Sequence, residues 1–190
     1  MKPVRPATDS DMRAPVRWGR AAVSPPAEVR VSTLTGPGRE RAIPLVRESF
    51  HGYYRWHAKR TLREVPLVRG AEKNGELLGV AMLDRLAPEA GYVFYLAVGA
   101  AHRRHGIGGV LLDDALAHFL STGAEVVFAA AEADNAPSIA LFRSRGFRLV
   151  ERDEAGFREG GLGAWGLRSR MRLVRGEVLL GRRFDPTAPA

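Results

Sequence analysis

Between Val98 and Leu112 the chain reads "VGAAHRRHGIGGVLL". Four basic or imidazole side chains, His102 to His105, stand directly before glycines at 106, 108 and 109, and an apolar run follows at once. From Gly106 onward the apolar residues keep a helical period. Ile107, Val110, Leu111, Ala115, Leu116, Phe119 and Leu120 fall on one face, with Asp113, Asp114 and His118 opposite. A helix is therefore predicted to begin at the glycines. A helix start exposes unpaired backbone N–H groups and the positive end of its dipole, and glycines let an anion approach that backbone closely. The corner reads as a cradle for phosphate or pyrophosphate, formed by Arg103, Arg104, His105, Gly106, Ile107, Gly108 and Gly109.

Working outward, "GYVFYLAV" (91–98) just before the corner is a buried strand, aromatic and β-branched. After the helix, closed by Gly123, comes the strand "EVVFAAAE" (125–132), so the middle of the chain is predicted to hold one parallel strand–helix–strand crossover. Upstream, "EVRVSTL" (28–34) alternates as a strand, and helices are expected over about 39–50 and 53–63. "VPLVRGAEK" and "ELLGVAMLDRL" are strands joined at Asn74-Gly75, a strong hairpin signal. Downstream, "APSIALFRSR" is a helix with Pro137 in its first turn and Gly146 at its end, and "FRLVERD" and "RSRMRLV" are strands around a glycine-rich loop, 156–166. The expected class is α/β or α+β, a mixed sheet covered by helices. Residues 1–27, rich in Pro and Arg, are expected to be a disordered basic arm; 28–175 form the folded domain; 176–190 form an extension that frays from about Gly181.

Composition narrows the chemistry. The 190 residues include no cysteine, which excludes disulfides, thiolate metal sites and a cysteine nucleophile. No secretory signal or uninterrupted run of about 18 apolar residues is present, so a soluble, cytoplasmic protein is expected. The five histidines show no metal-ligand spacing with carboxylates, and no metal is expected. The net charge of +8 favours anionic partners without choosing among them.

Two familiar nucleotide loops fail. Gly-x-Gly-x-x-Gly is broken by Leu111, and no Gly-Lys-Ser/Thr occurs. What matches is Arg-x-x-Gly-x-Gly at Arg103, Gly106 and Gly108, followed 27 positions after Gly108 by "NAPSIALFRSRGF" (135–147). Together these blocks resemble the pyrophosphate loop and the second conserved block of the GNAT superfamily of acetyl-coenzyme A-dependent N-acyltransferases. The resemblance spans about 28–174. It implies a mostly antiparallel sheet in which strands 91–98 and 125–131 run parallel and splay apart around coenzyme A. It also implies that the pantetheine arm bonds to backbone at Leu96, Ala97 and Val98, that the pyrophosphate meets the N–H groups of 103–108, and that Asn135, Ser138 and Phe142 lie near the cofactor. The oxyanion would be met by a backbone N–H at Val98 or its neighbour.

The sequence departs from that pattern in two places. Phe142 stands where many members carry a tyrosine that acts as general acid, and Tyr92 stands where some place a glutamate. Thiolate protonation then falls to water, Ser138 or Tyr95, or the thiolate leaves unaided, and the first choice of base is Glu132, ahead of Glu89 and Asp134. On the acceptor side, "SFHGYYRWHAKR" sets Tyr53, Trp56, His57 and Arg60 on one helical face, an aromatic and basic wall. The leading expectation is acetyl transfer from acetyl-coenzyme A to a primary amine in a ternary complex. Two alternatives stay open: a low-activity acyl-coenzyme A-binding regulatory module, and a basic nucleic-acid-binding protein. A homodimer through "EVLLG" (177–181) is a further option, and no membrane partner is expected.

Overall fold

The structure, a computed structural model, describes residues 28–150, 171, 173 and 176–184. In chain order the elements are β1 (Arg30–Thr33), α1 (Gly36–Ser49), α2 (Gly52–Glu64), β2 (Leu67–Lys73), β3 (Glu76–Ala87) and β4 (Ala90–Val98). A short 3-10 turn (Ala100–His102) follows, then α3 (Ile107–Ser121), β5 (Val126–Glu132), α4 (Ala136–Ser144), β6 (Arg148–Val150) and β7 (Glu177–Arg183). The strands form one mixed, mostly antiparallel sheet in the order β1-β2-β3-β4-β5-β7-β6, with β4 and β5 parallel. No helix among the described residues is long and apolar enough to cross a membrane. The chain divides into two compact units.

The unit holding 28–84 and 93–118 contains β1, β2, most of β3, the second part of β4, α1, α2 and most of α3. Its hairpin turns at Asn74 and Gly75, both left-handed at φ 51° and 81°, which is what the twist of a two-residue hairpin demands. Lys73 pairs directly with Glu76 across that turn. Ala42, Val46, Ala58, Leu62, Val68, Val80 and Met82 pack with Ala97 as one apolar core. Thus α1 and α2 bury one face each against the strands. The predicted face of α3 needs two corrections: Leu112 is fully buried while Leu120 is 44% exposed, so the apolar stripe is rotated toward Leu112 and leaves Leu120 outside, although Phe119 beside it stays buried. Asp114, expected on the solvent face, accepts two bonds from Arg69, from Nε and Nη2, each 2.7 Å long.

The unit holding the described residues of 85–92 and 119–190 carries β5, β6, β7 and α4. Here β7 pairs antiparallel with both β5 and β6. Glu177–Arg183, expected in a fraying extension, is therefore a sheet strand, and Leu179 to Arg182 are buried. Gly181 marks close packing rather than an end, since a Cβ there would lie 2.9 Å from Val150 and 3.2 Å from Phe128. Tyr92 is 2% exposed and donates its hydroxyl to the Met171 carbonyl at 3.2 Å. The arm 1–27, the loop 156–166 and all of 168–174 except Met171 and Leu173 lie outside the described residues.

Candidate active site

The corner read from the sequence is assembled within one unit by the end of β4, the 3-10 turn and the start of α3. β4 is buried through Val93, and its second half opens: Phe94, Tyr95, Leu96 and Val98 are half-buried, while Ala97 stays in the core. Gly99 N–H donates to the Leu78 carbonyl at 2.9 Å and so ends the strand against β3. Beyond the turn, Arg103 Nε donates back to the Val98 carbonyl at 3.1 Å. Arg104 and Gly106 are then left-handed, at φ 63° and 81°. For arginine this conformation is uncommon, and such strain gathers where a chain clamps a ligand.

The N–H of Val110 donates to the Gly106 carbonyl at 3.0 Å, the first bond of α3. Helix geometry therefore leaves the N–H groups of Ile107, Gly108 and Gly109 without helical partners. Arg103, Arg104 and His105 are exposed around this end, Gly106 and Gly108 are half-buried, and Ile107 and Gly109 are buried. Open N–H donors, a positive dipole end and two exposed guanidinium groups make the corner fit a pyrophosphate.

Two carboxylates that spacing alone does not single out also reach the corner. Glu48, next to last in α1, accepts the Ala100 N–H at 2.7 Å, and Glu76 Oε1 lies 2.9 Å from His102 Nε2. These partners are 52 and 26 residues apart in sequence, and no local pattern signals them.

On α2 the aromatic wall forms as its spacing predicts. Tyr53 and Trp56 are 58% and 59% exposed. The His57 ring lies 4.0 Å from Tyr53 and 4.7 Å from Trp56, and the Arg60 guanidinium sits 5.8 Å over Trp56. Where α1 meets α2, Phe50 packs edge-on against Tyr95 of β4 at 5.1 Å. Arg55 holds that junction by donating to the Phe50 carbonyl at 2.8 Å.

The remaining expected site residues belong to the other unit. Glu132 is exposed at the end of β5 and accepts the Asn135 N–H at 2.9 Å through its carbonyl. Asn135 is the N-cap of α4, its side-chain oxygen accepting the Ser138 N–H at 3.2 Å. Phe142 is buried and packs edge-on against Phe147 at 5.1 Å. Tyr92, where some members carry a glutamate, spends its hydroxyl on backbone in the core.

The profile of the Acetyltransferase (GNAT) family matches residues 36–147. N-alpha-acetyltransferase RimI of Mycobacterium tuberculosis is 31% identical over 147 residues, covering 74% of this chain and 91% of that protein. A mycothiol acetyltransferase of Corynebacterium glutamicum is 30% identical over 76 residues, 40% of this chain, and the chain spans only 26% of that relative's length. Among solved structures, the ribosomal-protein-S18-alanine N-acetyltransferase of Escherichia coli aligns with a TM-score of 0.62 at 18% identity, over 85% of this chain and 99% of that one. A PaiA N-acetyltransferase from Thermoplasma acidophilum, solved with coenzyme A, aligns at 0.61 and 14% identity, over 82% and 99%. The chain belongs to the GNAT acetyltransferase family.

Proposed function

We propose that the protein moves acetyl from acetyl-coenzyme A to a primary amine by direct attack, with both substrates bound together. The observation that carries this reading is the pair of left-handed residues, Arg104 and Gly106, running into the open N-terminus of α3. In this reading the N–H groups of Ile107, Gly108 and Gly109 take the pyrophosphate, and Arg103, Arg104 and His105 supply charge. The backbone of Leu96, Ala97 and Val98 takes the pantetheine arm, with Val98 or its neighbour donating to the oxyanion. Asn135, Ser138 and Phe142 keep their cofactor assignment from the sequence resemblance alone.

Acetyl-coenzyme A supplies a thioester carbon: the amine nitrogen bonds to it, the carbon–sulfur bond breaks, nitrogen loses a proton and sulfur gains one. Glu132 is our assignment for the proton acceptor, and Tyr95, fixed edge-on by Phe50, for the donor to sulfur. The acceptor is proposed to pass Tyr53, Trp56 and His57, and the name of the relative matched over 91% of its length favours an α-amine. The chemistry agrees. An α-amine, with a pKa of about 7.7–8.0, is roughly one-third neutral near pH 7.5, whereas only about one lysine amine in a thousand is. An acceptor with so large a neutral fraction places less demand on a base than a lysine would, and Glu132 is an exposed carboxylate on a strand end.

Calorimetric titration with acetyl-coenzyme A tests the cradle, using wild type and Gly108→Glu, which sets a negative side chain among the open N–H groups. Micromolar binding lost in the variant supports it; no binding by wild type refutes it. Thiol release with two peptides, one with a free N-terminus and one blocked there but bearing a lysine, then tests the acceptor. Binding without release for either peptide favours a non-catalytic binding module.

A further inference from the structure

Two carboxylates reach a corner whose other charges are arranged to attract phosphate. Glu76 faces His102, which offsets its charge when protonated. Glu48 faces only the neutral N–H of Ala100 on this loop and forms no ion pair among the described residues. A bare carboxylate beside an anion site weakens anion binding through its charge. Any favourable contribution of Glu48 must therefore be geometric.

The geometry supports one. Ala100 opens the 3-10 turn, so its N–H has no partner within the turn and the Glu48 carboxylate supplies it. Within the loop the turn is otherwise held by His102 N–H to the Gly99 carbonyl at 2.8 Å and by a long 3.4 Å bond from Arg103 N–H to the Ala100 carbonyl. The same end of α1 places Phe50 against Tyr95. The last turn of α1 thus contacts both the strand and the loop that leads to the cradle.

We propose that Glu48 is a positioning residue for the donor cradle: its bond to Ala100 N–H ties the end of α1 to the loop and fixes where Arg103 and Arg104 stand ahead of α3. The proposal rests on the transferase reading given above. It implies opposite outcomes for two substitutions. Glu48→Gln keeps an accepting oxygen and removes the charge, so coenzyme A binds as tightly as in wild type or more tightly. Glu48→Ala removes both, and binding weakens by about fivefold to tenfold, the worth of one ordinary hydrogen bond.

A third variant removes the donor instead. Ala100→Pro lacks the N–H, and proline suits this place because it is the first position of a helical turn and Gly99 before it is extended at ψ 141°. The test is calorimetric titration of the full chain with coenzyme A, using wild type, Glu48→Gln, Glu48→Ala, Ala100→Pro, the Glu48→Ala/Ala100→Pro double variant and Gly108→Glu. The expected result is matched losses in Glu48→Ala and Ala100→Pro, a double variant no weaker than either, and full rescue by Gln. A merely stabilising Glu48 would shift the urea midpoint without this pattern. Wild-type affinity or better in Glu48→Ala, or losses that add in the double variant, overturns the proposal alone, provided that wild type binds and Gly108→Glu does not. A wild type that fails to bind coenzyme A overturns the transferase reading and the proposal with it.

Discussion

Arg39 is the side chain on which the two helices nearest the site depend. Its Nε donates to the Leu34 carbonyl at 3.2 Å, and Nη1 reaches the carbonyls of Leu62, Arg63 and Val65 at 3.2, 3.3 and 2.9 Å. Nη2 adds the Pro66 carbonyl at 3.1 Å. These include carbonyls of the last turn of α2 and just beyond it, which the helix cannot satisfy itself, so a cation from α1 caps α2 and bolts the pair together. Arg39→Ala is expected to lower stability by about 2–3 kcal/mol in urea unfolding, because several partly buried carbonyls lose a charged donor at once. Arg39→Lys should recover less than half of that, since one ammonium cannot span five carbonyls. A full recovery by lysine would show that charge, not the fork, does the capping. Nothing near Arg39 in sequence announces this role. It lies on a helix rich in exposed arginine, and four of its five acceptors are 23 to 27 residues away. Glu48 was hidden for the same reason, whereas Gly106 and Gly108 were legible because a helix start and its φ > 0 turn are made by adjacent residues.

At the scale of elements, the placement of α3 on the sheet turns on one glycine. A Cβ on Gly79 of β3 would stand 2.9 Å from the Ala97 carbonyl, 3.0 Å from Leu111 and 3.2 Å from Ile107. β3 can accept the first turns of α3 only because that position has no side chain. Gly79→Ala should therefore cost about 1–3 kcal/mol by overpacking and also weaken coenzyme A binding, because the relief available is to lift Ile107 and the cradle it carries. Destabilisation with unchanged affinity would mean that β3 yields instead of α3. By contrast, Asn135→Ala should cost about 1 kcal/mol through loss of the α4 cap. Elements made by local chemistry were readable: the Asn74-Gly75 hairpin, the glycine-started helix and the helix with Pro137 in its first turn all stand where spacing puts them. β7 was misread because Gly181-Arg182-Arg183 has the composition of a chain end. Only the partners Val150 and Phe128, brought by distant segments, show that the glycine is demanded by packing. Strand order β5-β7-β6 is a tertiary choice that no window of sequence encodes.

For the whole molecule the governing quantity is charge. At neutral pH 29 Lys and Arg oppose 21 Asp and Glu, and acidification neutralises the acids and charges the five His, leaving the cations unopposed. Two effects then act as pH falls. The Lys73 ammonium, 2.8 Å from Glu28, holds that carboxyl below its ordinary range by a hydrogen bond and by charge. A depressed carboxyl contributes stability that is present above its unfolded pKa and lost as pH falls through the folded one. Glu28 is fully exposed, so this contribution is small. The larger effect is self-repulsion of the cations, which disfavours the compact state and is screened by salt. The two respond to salt with opposite sign: salt weakens an exposed ion pair and relieves net repulsion. Adding about 0.5 M sodium chloride, which shortens the screening length to a few ångströms, is therefore expected to raise the urea midpoint at about pH 3.5 and change it little at pH 7. A midpoint that falls with salt at the acid pH would mean that paired carboxylates, rather than surplus cations, govern acid unfolding.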